Sequence, residues 1–221
     1  MLLLALAIAP VLAIAVFIYW KNKFNKESRI IMFFCFVFGM ISIFISIYLE
    51  GIPEQLGFKE NDSSITNTIL NSFLFIALIE ESCKYFFLRI FAYPRKAFKE
   101  PYDGITYAVM ISLGFATVEN IHYVLQGGVE MAFVRMFTAV PAHATFGVIM
   151  GYFTGLAKFH QRQKSYLFIG IIAATLLHGT YDFFTILQIM PGLYIGAIIS
   201  LIIGIILSFQ AIRIHRKAPK I

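Results

Sequence analysis

Glu80, Glu81 and Lys84 fall inside an otherwise apolar run, Phe73 to Leu88. On a helix Lys84 lies one turn from both carboxylates, so its ammonium can reach either, while the glutamates point about 100° apart. One can therefore pair with Lys84 while the other faces a cavity. An ionisable group at mid-bilayer costs roughly 3 kcal/mol on insertion scales, and such groups mark function where they face a bundle interior or a watery space. The same reasoning gathers Glu119, Asn120, His143, His178 and Asp182, each in another apolar run. His178 and Asp182 are four residues apart, so the carboxylate can orient the imidazole and fix its tautomer.

These residue types make a hydrolase. A carboxylate sheltered from bulk solvent can take a proton from water, and imidazoles can hydrogen-bond to the oxyanion formed when that water attacks a peptide carbonyl. Glu80, Glu81, His143 and His178 are the expected catalytic residues, with Lys84, Glu119, Asn120 and Asp182 in support. Two histidines plus a carboxylate also form a catalytic zinc set with one position left for water. Its ligands would be His143, His178 and either Glu119 or Glu81, so the cofactor is none or zinc. No HExxH pairs two histidines on one turn.

Simpler readings cover part of the set. Glu80 and Lys84 alone could be a structural salt bridge, and His122 alone an interhelical hydrogen-bond partner; neither explains Glu81 or Glu119. A proton- or ion-coupled transporter uses similar residues as relays. It is expected to show an internal repeat with interrupted helices, and none is found. A non-catalytic immunity-type membrane protein is a third reading, against which stands only the completeness of the carboxylates and histidines.

The elements that must position these residues follow from composition. The chain has 221 residues, 59% hydrophobic and 14% charged, with a mean hydropathy of +0.79. That profile describes an all-α polytopic membrane protein rather than a soluble domain. Apolar runs at 2–20, 30–49, 66–92, 104–126, 131–157, 166–189 and 192–212 predict seven transmembrane helices in one domain spanning 1–221. The net charge of +6 is spread over short clusters between runs, which is a topology signal and excludes a nucleic-acid stripe. Lys and Arg crowd every second connection, placing the N-terminus outside and the C-terminus in the cytoplasm, with 50–65 as an acidic extracellular loop.

Under that topology Glu119 and Asp182 lie toward the outer ends of their spans, so the cluster should open outward. Arg135, near an outer end, is expected to snorkel to the interface. His160 and His215, in basic segments, are expected to be solvated. The first run is read as a retained helix, since no Lys or Arg precedes it. Gly147, Gly151 and Gly155 repeat every fourth residue and predict a close helix contact. Cys35 and Cys83 show no ligand spacing and read as small buried residues.

Five ordered motifs carry a resemblance to a known family. They are Glu80-Glu81-Ser82-Cys83-Lys84, Asp103-Gly104-Ile105, Gly114 to Asn120, Pro141-Ala142-His143-Ala144 with Gly147 to Gly151, and His178 to Phe183. In order and spacing the chain resembles the PrsW family over about residues 1–215. The resemblance implies a bacterial cell-membrane protease that makes the first cut in a membrane-anchored anti-sigma factor. It carries the paired glutamates onto Glu80 and Glu81, the FxxxE glutamate onto Glu119, and the two histidines onto His143 and His178. Related CAAX prenyl proteases have an arginine one residue after the position of Lys84. The wider grouping holds both metal- and glutamate-dependent peptidases, leaving the cofactor open, and the implied partners are that substrate and the bilayer.

Overall fold

The computed structural model describes residues 1–21, 26–55, 64–187, 192 and 194–217. Among these every regular element is helical. Helix α1 spans Leu2–Lys21, α2 Lys26–Gln55 and α3 Ile65–Leu70, which runs through a π-helical stretch, Asn71–Ala77, into α4, Leu78–Phe87. A second π-helical stretch, Leu88–Ala92, follows α4. Then come α5 Pro101–Phe137, α6 Ala139–Phe159, α7 Gln163–Ile186 and α8 Tyr194–Lys217.

Among the described residues five stretches are long and apolar enough to cross a membrane: Leu2–Trp20, Ser28–Pro53, Pro101–Phe159, Gln163–Ile186 and Tyr194–Lys217. The third contains both α5 and α6. The run expected at 66–92 is continuous helix broken in pattern by its two π-helical stretches. Residues 56–63 of the expected external loop lie outside the described residues, but the loop starts later than 50, because α2 continues through Gln55 with Pro53 inside it.

Helices α5 and α6 form the middle of the bundle. Pro101 suits the first helical position because its missing N–H would have had no intrahelical partner. Asp103 Oδ2 accepts hydrogen bonds from the backbone N–H groups of Lys99 (2.8 Å) and Glu100 (2.9 Å), tying down the helix start. The Asp103-Gly104 motif is thus architectural. A Cβ on Gly151 would lie 2.5 Å from the Gly104 carbonyl oxygen, and one on Gly155 only 2.1 Å from that of Pro101. The glycine repeat is the antiparallel seam between α5 and α6, at a distance that no larger residue fits.

Gly155→Ala should lower stability by about 1–3 kcal/mol, since the obstacle is backbone and one helix must shift. A thermal melt in detergent checks this against Gly51→Ala, whose Cβ would meet nothing within 4 Å and should leave the melting temperature unchanged or raised.

One break in α5 matters for the site. Gly128 has φ 68° and ψ −154°, a conformation that glycine tolerates and L side chains avoid. Residues 129–137 consequently turn back along the bundle, and Thr138 separates them from α6. Arg135 is therefore buried rather than snorkelling outward: the reversal at Gly128 delivers it to carboxylates inside the protein. His215 is also buried, contrary to expectation. Its ring packs on Tyr152 with centroids 4.4 Å apart, and Nε2 lies 2.9 Å from the Tyr152 carbonyl oxygen.

Candidate active site

Helix α4 places Glu80, Glu81 and Lys84 within one turn, all three buried. The ammonium of Lys84 donates to Glu80 Oε2 at 2.9 Å and to Glu81 Oε1 at 2.8 Å, and lies over the Phe115 ring, 4.0 Å from its centroid. Lys84 thus bridges the two glutamates, where the sequence suggested that it would choose one. Helical spacing permits both contacts, and Glu81, wholly buried, has no water as an alternative partner.

The other helices bring their groups to this centre. His143, one turn into α6, has Nδ1 3.3 Å from Lys84 Nζ and Nε2 2.5 Å from Glu119 Oε2 on α5. Glu119 Oε1 pairs with Arg135 Nη2 at 2.9 Å. Arg135 Nε in turn donates to Asn120 Oδ1 at 2.7 Å, and Asn120 Nδ2 donates to the Ala7 carbonyl of α1 at 2.6 Å. From α7, His178 sets Nδ1 2.9 Å from Glu81 Oε1 and Nε2 3.1 Å from Asp182 Oδ2. Phe146 stacks on the His178 ring at 4.5 Å, fixing its plane.

All eight residues singled out in the sequence meet in one network drawn from α4, α5, α6 and α7. Their separation of roles is sharper than expected. Glu81 is wholly buried, with Oε2 lacking any hydrogen-bond partner, whereas Glu80 lines a cavity of about 420 Å³. Ser46, Glu50, Asn71, Phe115 and Glu119 also line that cavity, which extends to Pro53 near the end of α2.

Two members of the site were missed from sequence. Arg135 holds Glu119, and only the break at Gly128 explains its position. Glu50, assigned to the acidic loop, belongs to the cavity wall, with a buried Oε1 that no protein group meets. The nearby polar residue Ser46, one turn earlier on α2, was the available signal.

The donor set can accommodate a divalent metal. Glu80, His143 and His178 each offer one ligand atom, and the three lie within 4.8 Å of one another. The carboxylate of the set is Glu80, in place of the expected Glu119 or Glu81. Those two are turned away from it by Arg135, Lys84 and the far ring nitrogens of the histidines. Glu119 backs His143 through Nε2 and Glu81 backs His178 through Nδ1, as second carboxylates orient zinc-binding histidines. Lys84 Nζ, 2.9 Å from Glu80 and 3.3 Å from His143 Nδ1, and Asp182, 3.1 Å from His178 Nε2, hold the remaining atoms and must give way to an ion. Four carboxylates, Glu80, Glu81, Glu119 and Asp182, meet two fixed cations, Lys84 and Arg135. His178, held between Glu81 and Asp182 at its two ring nitrogens, can itself carry a proton that offsets one of these charges.

Comparison with known proteins agrees with this chemistry. Residues 27–209 match the sequence profile described as PrsW family intramembrane metalloprotease. The chain is 35% identical over 195 residues to a Protease PrsW of Geobacillus kaustophilus, covering 88% of this chain and 84% of the relative. It is 38% identical over 183 residues to that of Bacillus subtilis, covering 82% and 81%. With that of Clostridioides difficile it shares 33% over 215 residues, covering 94% and 87%. No solved structure matches the chain.

Proposed function

The chain belongs to the PrsW family of intramembrane proteases and is a multi-pass bacterial membrane peptidase; from that premise we propose that it makes the first cut in a membrane-anchored anti-sigma factor, with Glu80 as the group that activates water. The observation that carries the assignment is the convergence of Glu80, His143 and His178, whose ligand atoms lie within 4.8 Å of one another, with Glu80 also on the cavity wall. Membership of a protease family removes the transporter and immunity-type alternatives.

Glu80 holds a water molecule through its carboxylate and takes one proton as the oxygen attacks the scissile carbonyl. The charge that develops on the carbonyl oxygen is met by His143, His178 and the Lys84 ammonium, cationic or N–H groups held in place before reaction. Protonated Glu80 then passes its proton to the leaving amine as the C–N bond breaks, returning the carboxylate to its starting state. In the alternative, a divalent metal held by Glu80, His143 and His178 would supply Lewis-acid polarisation of the water and carbonyl, and those three side chains would serve as its ligands in place of the base and oxyanion roles above. Glu119 and Glu81 would then keep the two imidazoles in register. This metal-assisted reading is supported by the description of the family as metalloproteases and by the spacing of the three ligand atoms.

The same reading places the whole chain in one protease domain crossing the membrane seven times, with the N-terminus outside. Its support is the alternation of basic connections and the reach of the cavity to Pro53, beside the acidic 50–65 segment. A substrate segment would approach from that side, along walls formed by Phe44, Ile47 and Phe75.

The test uses purified protein reconstituted with a membrane-anchored anti-sigma factor. Cleavage should stop in His143→Ala and His178→Ala. Treatment with a strong chelator should reduce it at least tenfold, and added zinc should restore it. Elemental analysis should find one divalent metal per wild-type chain and less than a tenth of that in His178→Ala. Cleavage by both histidine variants would overturn the site, and full activity in metal-free protein would return the mechanism to unaided glutamate catalysis.

A further inference from the structure

A second cavity, of about 760 Å³, shares no lining residue with the first. Its floor is Ile105 and Val109 of α5 with Ala144 and Val148 of α6, and its walls are α1 and α8. The walls present Ile14, Phe17 and Ile18 from one side and Ile205, Phe209 and Ile212 from the other. One end is different in kind: Tyr102, Arg213, Arg216 and Lys217 line it, and among the described residues no carboxylate does. Among the described residues none of these three cations forms an ion pair. Arg216 is steadied by Tyr102, with Nη2 3.3 Å from the phenol oxygen and its guanidinium 5.0 Å from the ring centroid.

The dimensions fit a lipid. From Ile205 to Lys217 the wall rises about 18 Å, close to the ~15 Å depth of hydrocarbon in one leaflet. Ser208 adds a hydroxyl without a protein partner about 8 Å below Arg213, at the depth expected for the ester region of a lipid whose phosphate meets the cations. Guanidinium groups match phosphate oxygens in a two-pronged geometry, and the basic connections identify this end as cytoplasmic, where anionic headgroups attract such clusters.

We propose that this groove is a binding site for one anionic phospholipid, its phosphate held by Arg213, Arg216 and Lys217 and one acyl chain lying between α1 and α8. The lipid completes the contact between those two helices on that face. The site is independent of the peptidase assignment.

Native mass spectrometry of delipidated protein, titrated with phosphatidylglycerol or phosphatidylcholine, tests this directly. Wild-type protein should retain one phosphatidylglycerol per chain, with at least a tenfold preference over phosphatidylcholine. Arg213→Gln combined with Arg216→Gln and Lys217→Gln should abolish the preference, while Arg213→Lys with Arg216→Lys should keep most of it and confirms folding under the same conditions. Soluble glycerol phosphate in excess should not displace the lipid. Equal retention of both lipids, an unchanged preference in the glutamine variant, or displacement by glycerol phosphate would each overturn the proposal.

Discussion

Glu80→Gln is expected to lower substrate cleavage by about three orders of magnitude while destabilising the fold less than Glu81→Gln does, because Glu80 meets Lys84 at a cavity wall whereas Glu81 is wholly enclosed and also faces His178. Glu80 sits on the cavity wall and has Lys84 as its close partner. An amide of the same shape keeps the hydrogen-bonding volume and loses the charge. Glu81→Gln should behave differently. Its Oε1 accepts from Lys84 and faces His178 Nδ1 in a site closed to solvent, so loss of its charge leaves a buried ammonium with one carboxylate in place of two. Destabilisation of about 3–5 kcal/mol is expected for breaking a buried ion pair, together with loss of activity. Steady-state cleavage and thermal unfolding, measured on both variants, separate the two roles. If Glu80→Gln melts far below wild type while Glu81→Gln remains stable and inactive, the roles are reversed.

Lys84→Met should be the most destabilising single change in the site. The ammonium is the cation between two buried carboxylates, and methionine of similar length leaves both without it. The penalty for one orphaned partner is about 3–5 kcal/mol, and here there are two. Adding Glu81→Gln to Lys84→Met should recover part of the lost stability, since the second change removes a charge that the first stranded. Thermal or denaturant unfolding of the four proteins in the double-mutant cycle measures that coupling. Strictly additive losses would mean that Lys84 and Glu81 do not depend on each other.

The candidate cluster was legible because ionisable side chains in apolar runs have few places to go. Glu80, Glu81, Lys84, Glu119, His143, His178 and Asp182 had to meet one another, and spacing within each helix set which could touch. Division of labour between Glu80 and Glu81 was not legible, because it depends on which neighbour occupies each direction around α4. The position of Arg135 was hidden for another reason. The segment 129–137 reads as the start of the next span, and a single glycine conformation sends it inward instead. Glu50 was misassigned because hydropathy falls before the helix ends, so α2 outlasts its apolar run by several residues. The glycine repeat of α6 announced close packing, but its partner on α5 required the structure.

The hydrogen bond from Asn120 to the carbonyl of Ala7 has a consequence for biogenesis. Helix α1 precedes α4 and α5 in synthesis, and α7, bearing His178, follows them. No group of α1 takes part in the chemistry, yet its seventh residue anchors the sequence of contacts that ends at His143. A chain inserted only as far as α5 has its glutamates and lysine but neither histidine, and a chain whose first helix has drifted loses the fixed end of that series. In a nascent chain this network is therefore complete only once α1, α6 and α7 are all seated against α4 and α5.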